Sequence, residues 1–303
     1  MQAILWHGRL ARGIAESRAG CPCHSKASPA SRLLPVGDAR LGIFVGLILS
    51  TVLVGAAEPA STRVGPPQGK LLVIGGGAMG TLWDVFLELA GGKDAPIVVI
   101  PTANEKIADV DPAVNALKSR GATRVTQLHT RDPKVADTEE FVAPLRTAGG
   151  VWITGGRQWR LADSYLGTRT QKELAALLAR GGAIGGSSAG ATIQGSYLVR
   201  GAPSGNTIMM SPGHEEGFAF LRATAIDQHV NTRGRADDIR VVLKAHPTLL
   251  GIGLDEATAL IVSGDRCEIA GTGVARFFAT PDGPATELKA GARYDLAARR
   301  VVP

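Results

Sequence analysis

The sequence predicts an α/β fold: a mostly parallel sheet with helices on both faces, followed by antiparallel strands near the C-terminus. Three observations predict it. From Lys70 onward short apolar runs alternate with helix-period segments. Glycine and proline punctuate the junctions between them. After about Ala257 the texture changes to alternating segments separated by Gly/Asp turns.

Lys70-Leu71-Leu72-Val73-Ile74 reads as a buried strand that ends in Gly75-Gly76-Gly77. Leu82, Val85, Phe86 and Leu89 recur at i, i+3, i+4 and i+7, which is one face of a helix. Ile97 to Ile100 is a second buried strand, stopped by Pro101, and Asp111-Pro112 sets an N-cap and first-position proline for a helix to Arg120. Arg124 to Leu128 and Val151 to Thr154 read as strands, with a helical stretch from Thr138 between them. Thr170 and Glu173 have the spacing of a capping box, opening a helix that stops at Gly181-Gly182. Beyond Ala257, Ala259–Val262, Cys267–Gly271 and Val274–Phe278 read as antiparallel strands.

Residues 1–57 read as a leader with a secretory signal. Leu41 to Ala57 is uncharged and apolar, follows Arg32 and Arg40, and ends in Gly55-Ala56-Ala57 before Glu58. An uncleaved membrane anchor is the alternative. Residues 58–69, rich in Pro and Gly, read as a linker, and 70–303 as a single α/β hydrolytic domain. The chain has 33 Lys+Arg against 27 Asp+Glu, net +6, but the leader's six basic and two acidic residues account for most of it, leaving +2. That balance excludes a nucleic-acid footprint. Cys21 and Cys23 fall in the leader, so Cys267 is alone and stability must come from the core.

Ser188 is the centre of Gly186-Ser187-Ser188-Ala189-Gly190, after the apolar Ala183-Ile184 and before Ala191-Thr192-Ile193. Strand, sharp turn and helix in that order push a serine hydroxyl out of the backbone, and small flanking residues let the turn close. Gly75-x-Gly77-x-x-Gly80 also matches a dinucleotide fingerprint, but the second strand ends Ile100-Pro101-Thr102 without the acidic residue a ribose needs. No metal or organic cofactor is expected.

A serine needs a base, and four histidines lie beyond the leader: His129, His214, His229 and His246. His129 sits in a loop and His246 at a helix end. His229 ends the strand-like Ala225-Ile226-Asp227-Gln228 and precedes Asn231-Thr232-Arg233-Gly234-Arg235, groups that suit a carboxylate or amide, so it is the expected base. The carboxylates between Ser188 and His229 are Glu215, Glu216 and Asp227. Glu215 or Glu216, in the loop after His214, is the preferred orienting acid, with Asp227 serving either that role or substrate binding.

Together, Gly185 to Ala191, Asp227-Gln228-His229, Arg233-Gly234-Arg235, Gly251-Ile252-Gly253-Leu254-Asp255-Glu256 and Ile153-Thr154-Gly155-Gly156-x-Gln158 resemble the cyanophycinase-like serine peptidases. These are relatives of aspartyl dipeptidase with a class I glutamine amidotransferase-like fold. The resemblance spans roughly Lys70 to Gly264. It implies hydrolysis of aspartyl or β-aspartyl peptide bonds with Ser188 as nucleophile and His229 as base. It further implies an oxyanion hole from the N–H groups of Gly156 and Ala189, and a substrate pocket of Gln158, Asp227, Gln228, Arg233 and Arg235. Three departures stand against the family pattern. Its acid lies some fifteen to eighteen residues after the nucleophile, where this chain has Pro203-Ser204-Gly205-Asn206, so Asn206 is a further candidate orienter; Arg157 precedes the glutamine; and Asp238 replaces a basic residue. The implied partner is a peptide substrate, with cyanophycin and β-aspartyl dipeptides as candidates; the assembly is open to a homodimer, the location is periplasmic or secreted, and a non-catalytic binding module with the same fold is the competing reading.

Overall fold

The computed structural model describes residues 63–303; the leader and its signal lie outside the described residues. The chain runs β1 (Lys70–Ile74), α1 (Leu82–Leu89), β2 (Ile97–Ile100), α2 (Pro112–Ser119), β3 (Val125–Gln127), α3 (Pro133–Ala136), α4 (Glu139–Thr147) and β4 (Gly150–Ile153). It continues through α5 (Gln158–Tyr165), α6 (Arg169–Ala179), β5 (Ala183–Ser187), α7 (Ala189–Thr192), β6 (Gly195–Tyr197), β7 (Leu221–Asp227), α8 (Ile239–Ala245) and β8 (Leu250–Leu254). Six strands close the chain: β9 (Thr258–Ser263), β10 (Arg266–Gly271), β11 (Ala275–Phe278), β12 (Thr286–Leu288), β13 (Arg293–Asp295) and β14 (Arg300–Val302).

The fold is the expected mixed α/β one. Strands β1, β5, β4, β2 and β3 pair in parallel, and β9, β10, β13 and β14 extend the same sheet antiparallel from the β1 edge. Successive side chains of a strand point to opposite faces. Leu71, Val73, Val98, Ile100, Val151 and Ile153 accordingly join one core with α4, α5 and α6. Leu72, Ile74, Ile97, Val99 and Trp152 join the other with α1 and α2. Because both faces are covered, these strands read as continuous apolar runs.

The sequence pattern did not reveal a second sheet, β12-β11-β8-β7-β6, with β6, β7 and β8 parallel. Strand–helix alternation specifies succession along the chain, not which edge a strand joins. Once β1 and β4 flank β5 on both sides, the chain leaving Ser188 has no free edge there. It starts a new sheet instead.

Local signals held unevenly. Asp111 caps α2 by accepting from Ala113 N, and Thr138 caps α4 by accepting from Phe141 N. The capping box at Thr170 does not form: α6 begins two residues earlier, after Thr168, and the Thr170 hydroxyl donates to Ala136 O while Glu173 pairs with Arg146. In the segment read as a linker, Val64 and Gly65 N–H both donate to Asp265 Oδ1. Among the described residues no helix is long and apolar enough to cross a membrane.

Gly185 on β5 admits an aromatic cluster. Trp152 packs against Trp83 and edge-on against Phe86, with ring centroids 4.4 and 5.1 Å apart. A Cβ at Gly185 would lie 2.6 Å from Phe86 and 2.7 Å from Trp152. Gly185→Ala is therefore expected to cost about 1–3 kcal/mol through overpacking, measured as a lower urea midpoint with unchanged slope.

Candidate active site

The site is built where β5 turns into α7. Ser188 adopts φ 57° and ψ −114°, an uncommon conformation for a residue with a side chain. Strain of that kind costs on the order of 1–3 kcal/mol and survives only where the surroundings enforce it. The enforcement is steric. A Cβ at Gly186 would lie 2.2 Å from Gly190 O, and one at Gly190 would lie 2.1 Å from Ile153 O, so only glycines let the turn close this tightly. Ser188 N–H donates to Ile74 O at 3.0 Å, pinning the turn to the end of β1.

His229 meets the serine from the second sheet. Its strand, β7, ends at Asp227, and His229 itself takes φ 55°. Ser188 Oγ and His229 Nε2 are 2.9 Å apart, and His229 Nδ1 is 2.5 Å from Glu256 Oε1. The carboxylate on the histidine is thus Glu256, at the end of the Gly251–Glu256 segment. Thr232 Oγ1 donates to the same Glu256 oxygen at 3.0 Å, and Asn231 Oδ1 accepts from Glu256 N at 2.9 Å.

The expected orienting acids are elsewhere. Glu215 accepts from Tyr197 OH at 2.8 Å, and Glu216 sits in a bridge opposite Tyr197. Both belong to the rim of the second sheet, too tied to β6 to reach the imidazole. Asn206 is also not on His229: its carbonyl oxygen accepts from Arg200 and Arg235. Of the other histidines, His214 pairs with Asp163 at 3.0 Å and His246 ends α8 against Tyr197.

The glycines after β1 seat this pair. A Cβ at Gly76, whose φ is 114°, would lie 2.2 Å from His229 Cε1, and one at Gly77 would lie 2.8 Å from Glu256 Cβ. The space a dinucleotide pyrophosphate would need is filled by an imidazole and a carboxylate. Among the described residues no group of three or more His, Cys, Asp or Glu is placed to hold a metal ion.

Gly155 and Gly156 approach the serine from the end of β4. A Cβ on Gly155 would lie 3.3 Å from Ser188 Cβ, whereas one on Gly156, φ 132°, would strike Ala103 O at 2.2 Å. Gly155 is therefore the nearer of the two to the nucleophile position. Thr154 N–H donates to Ile100 O and Arg157 N–H to Ala103 O. Ala189 N–H lies at the start of α7, where helix donors lack an intrahelical acceptor.

The expected substrate residues divide. Gln158 is buried and its Nε2 donates to Val199 O at 2.7 Å. Asp227 is buried in a bidentate pair with Arg200, both bonds 2.8 Å, so its carboxylate is spent on a residue the sequence did not single out. The Asp227 assignment to substrate binding is corrected accordingly: a buried carboxylate needs a paired cation, and Arg200 supplies it. Arg200 also donates to Asp238 at 2.6 Å, so the acidic residue at 238 balances a cation from the 200 loop. Gln228 is buried, and its Oε1 accepts from Arg235 Nη1 at 3.3 Å. Arg233 is exposed. With Arg200, Asn206, Thr207, Arg235 and Asp238 it lines an open cavity of about 330 Å³. Arg157 Nη2 donates to Ala202 O.

The sequence model described as peptidase family S51 matches residues 71–270. The chain belongs to peptidase family S51. It is 31% identical over 184 residues to a cyanophycinase of Nostoc sp., covering 59% of this chain and 61% of that protein. A cyanophycinase of Geminocystis herdmanii is 29% identical over 196 residues, covering 62% and 71%. The chain thus spans about three fifths of the length of the Nostoc relative. The crystal structure of a peptidase from an acI-B1 actinobacterium superposes with a TM-score of 0.59 at 22% identity, over 77% of this chain and 98% of that one, which is a likeness of fold.

Electrostatics at this S51 site favour a neutral imidazole. Burial lowers the His229 pKa below its ordinary 6.5, the Glu256 hydrogen bond opposes that, and the charge of Arg233 adds to the lowering. Glu256 is held below the usual carboxylate range, first by its bond to His229. In ¹H–¹⁵N spectra His229 is expected to titrate below pH 6.5, and further below in Glu256→Gln, which removes the contribution that raises it. Equal or higher values in the variant would contradict the pairing. Arg200→Met should cost about 3–5 kcal/mol by stranding a buried Asp227 carboxylate, read from urea unfolding at neutral pH.

Proposed function

We propose that this S51 protein is a serine-type peptidase that cleaves aspartyl or β-aspartyl peptide bonds through an acyl-enzyme. One observation carries the reading: the hydrogen-bonded run Ser188, His229, Glu256 on a turn that holds the serine at positive φ. A neutral His229 accepts the Ser188 proton at Nε2 as Oγ attacks the scissile carbonyl carbon. Glu256 accepts from Nδ1–H, fixes that tautomer and stabilises the imidazolium. N–H groups of Ala189 and the Gly155–Gly156 turn receive the developing oxyanion, where one such donor contributes on the order of 10²- to 10³-fold in rate. The amine leaves with the proton from His229, and water attacks the Ser188 ester by the same route in reverse.

Arginines bind carboxylates with two parallel hydrogen bonds. Arg233, exposed next to the site, is assigned to a free carboxylate of the substrate, with Arg235 behind it. β-Aspartyl dipeptides and cyanophycin, to which the relatives' names point, are the substrates to test. Export is part of the proposal, resting on the sequence of residues 41–57.

Ser188→Ala should lower turnover of β-aspartyl dipeptides by several orders of magnitude with little change in Tm, and Ser187→Ala far less. Wild-type protein that a fluorophosphonate fails to label at Ser188 would leave a binding module as the better description. Glu256→Gln is expected to lose about 10⁴-fold in kcat, against near-wild-type values for Glu215→Gln and Glu216→Gln. In the wild type, kcat/KM should fall on the acid side only below pH 6.5, the uptake of a proton by His229 being one contribution. Protein from the native host should begin near Glu58; intact precursor in washed membranes would favour an anchor.

A further inference from the structure

Thr102 follows β2 and Pro101 and is fully buried. Its Oγ1 lies 2.5 Å from Tyr165 OH and 2.8 Å from His129 Nδ1, and Thr130 N–H donates to Tyr165 OH at 3.4 Å. Tyr165 is the last residue of α5, the helix that follows the Gly155–Gly156 turn. The neighbour of Thr102 grips the other end of that helix. Ala103 O accepts from Arg157 N at 2.8 Å and Arg160 Nη1 at 3.0 Å, and it is the atom a Cβ on Gly156 would strike. One dipeptide, Thr102-Ala103, therefore clamps α5 at its first and last turns. The glycine turn beside Ser188 is caught between clamp and nucleophile.

One arrangement of protons gives the Thr130 amide and the Tyr165 and Thr102 hydroxyls an acceptor each. Burial pushes the Tyr165 phenol up, so it keeps its proton. With Thr130 N–H on one lone pair, Tyr165 O–H donates to Thr102, and Thr102 O–H donates to His129 Nδ1. That order needs a neutral imidazole carrying its proton on Nε2. Protonating Nδ1 breaks it: His129 then donates to Thr102, and of the Thr102 and Tyr165 hydroxyl protons only one can be accepted by the other's oxygen, leaving a buried proton without an acceptor. His129 meets Thr102 from the end of β2 and Arg131 from its own loop, with Tyr165 of α5 reaching it through Thr102; burial and then the Arg131 charge lower its pKa.

We propose that Thr102, Tyr165 and His129 are positioning residues that hold the Gly155–Gly156 turn against Ser188 and so set the rate of acylation without touching the substrate. The proposal rests on Ser188 being the nucleophile. Its test is the rate of fluorophosphonate labelling of the full chain, which needs no knowledge of the natural substrate. Tyr165→Phe and Thr102→Val are expected to label about tenfold more slowly, one hydrogen bond's worth, while Thr102→Ser labels at the wild-type rate. His129→Gln should also slow labelling and should remove one of two protonations from its acid limb; it keeps the test open if Tyr165→Phe does not fold. Variants that melt lower but label at the wild-type rate while folded would show a purely structural network and overturn the proposal. An unlabelled wild type overturns this and the nucleophile reading together, whereas a labelled wild type with unaffected variants overturns this alone.

Discussion

Three consecutive carbonyls at the end of β1 hold the site together. Ile74 O accepts from Ser188 N, Gly75 O from His229 N, and Gly76 O from Ala257 N, the residue after Glu256. Each member of the Ser188–His229–Glu256 run, or its immediate neighbour, is thus tied to one short stretch of backbone. Side chains cannot be admitted there, since the imidazole and carboxylate lie where Cβ atoms of Gly76 and Gly77 would be. Hydrogen bonds set the spacing and glycine allows the approach.

Strain and charge are both offset by neighbours. Ser188, His229, Ala257 and Arg200 all have positive φ without being glycine. Ser188 sits where β5 turns into α7, His229 and Arg200 just beyond the ends of β7 and β6, and Ala257 just before β9. Arg200 adds a second offset, because its guanidinium answers Asp227 inside the protein and Asp238 near the surface. The result is a polar wall beside His229 whose charges are mostly matched, with Arg233 left outward.

Much of this was legible in the sequence, for reasons particular to each residue. Ser188 was readable because the G-x-S-x-G spacing is itself the steric requirement of the turn. The alternation of apolar runs and helical faces gave the parallel sheet and its covering helices. Glu256 carries no such mark although it ends the Gly251–Glu256 segment: it follows His229 in the chain rather than lying between Ser188 and His229, and contact across two strands leaves no spacing signal in the sequence. Arg200 had none either, being one arginine in a polar loop. Gly75 to Gly80 offered a false signal, since a nucleotide and an imidazole make the same demand on backbone: the removal of side chains. The second sheet escaped because pattern reports succession, not edge.

The position of β1 also governs how the protein comes into being. It is the first strand among the described residues, yet its two partners are β5 on one side and β9 on the other, more than a hundred and nearly two hundred residues later. Pairings so remote in sequence are slow to find, because a long loop must close before any contact is gained. A growing chain that has already made β5 and Ser188 therefore still lacks His229 and Glu256. Glu256 lies between β8 and β9, so the β9–β1 pairing that sets Ala257 on Gly76 O, and Glu256 beside His229, is among the last that the order of the sequence allows.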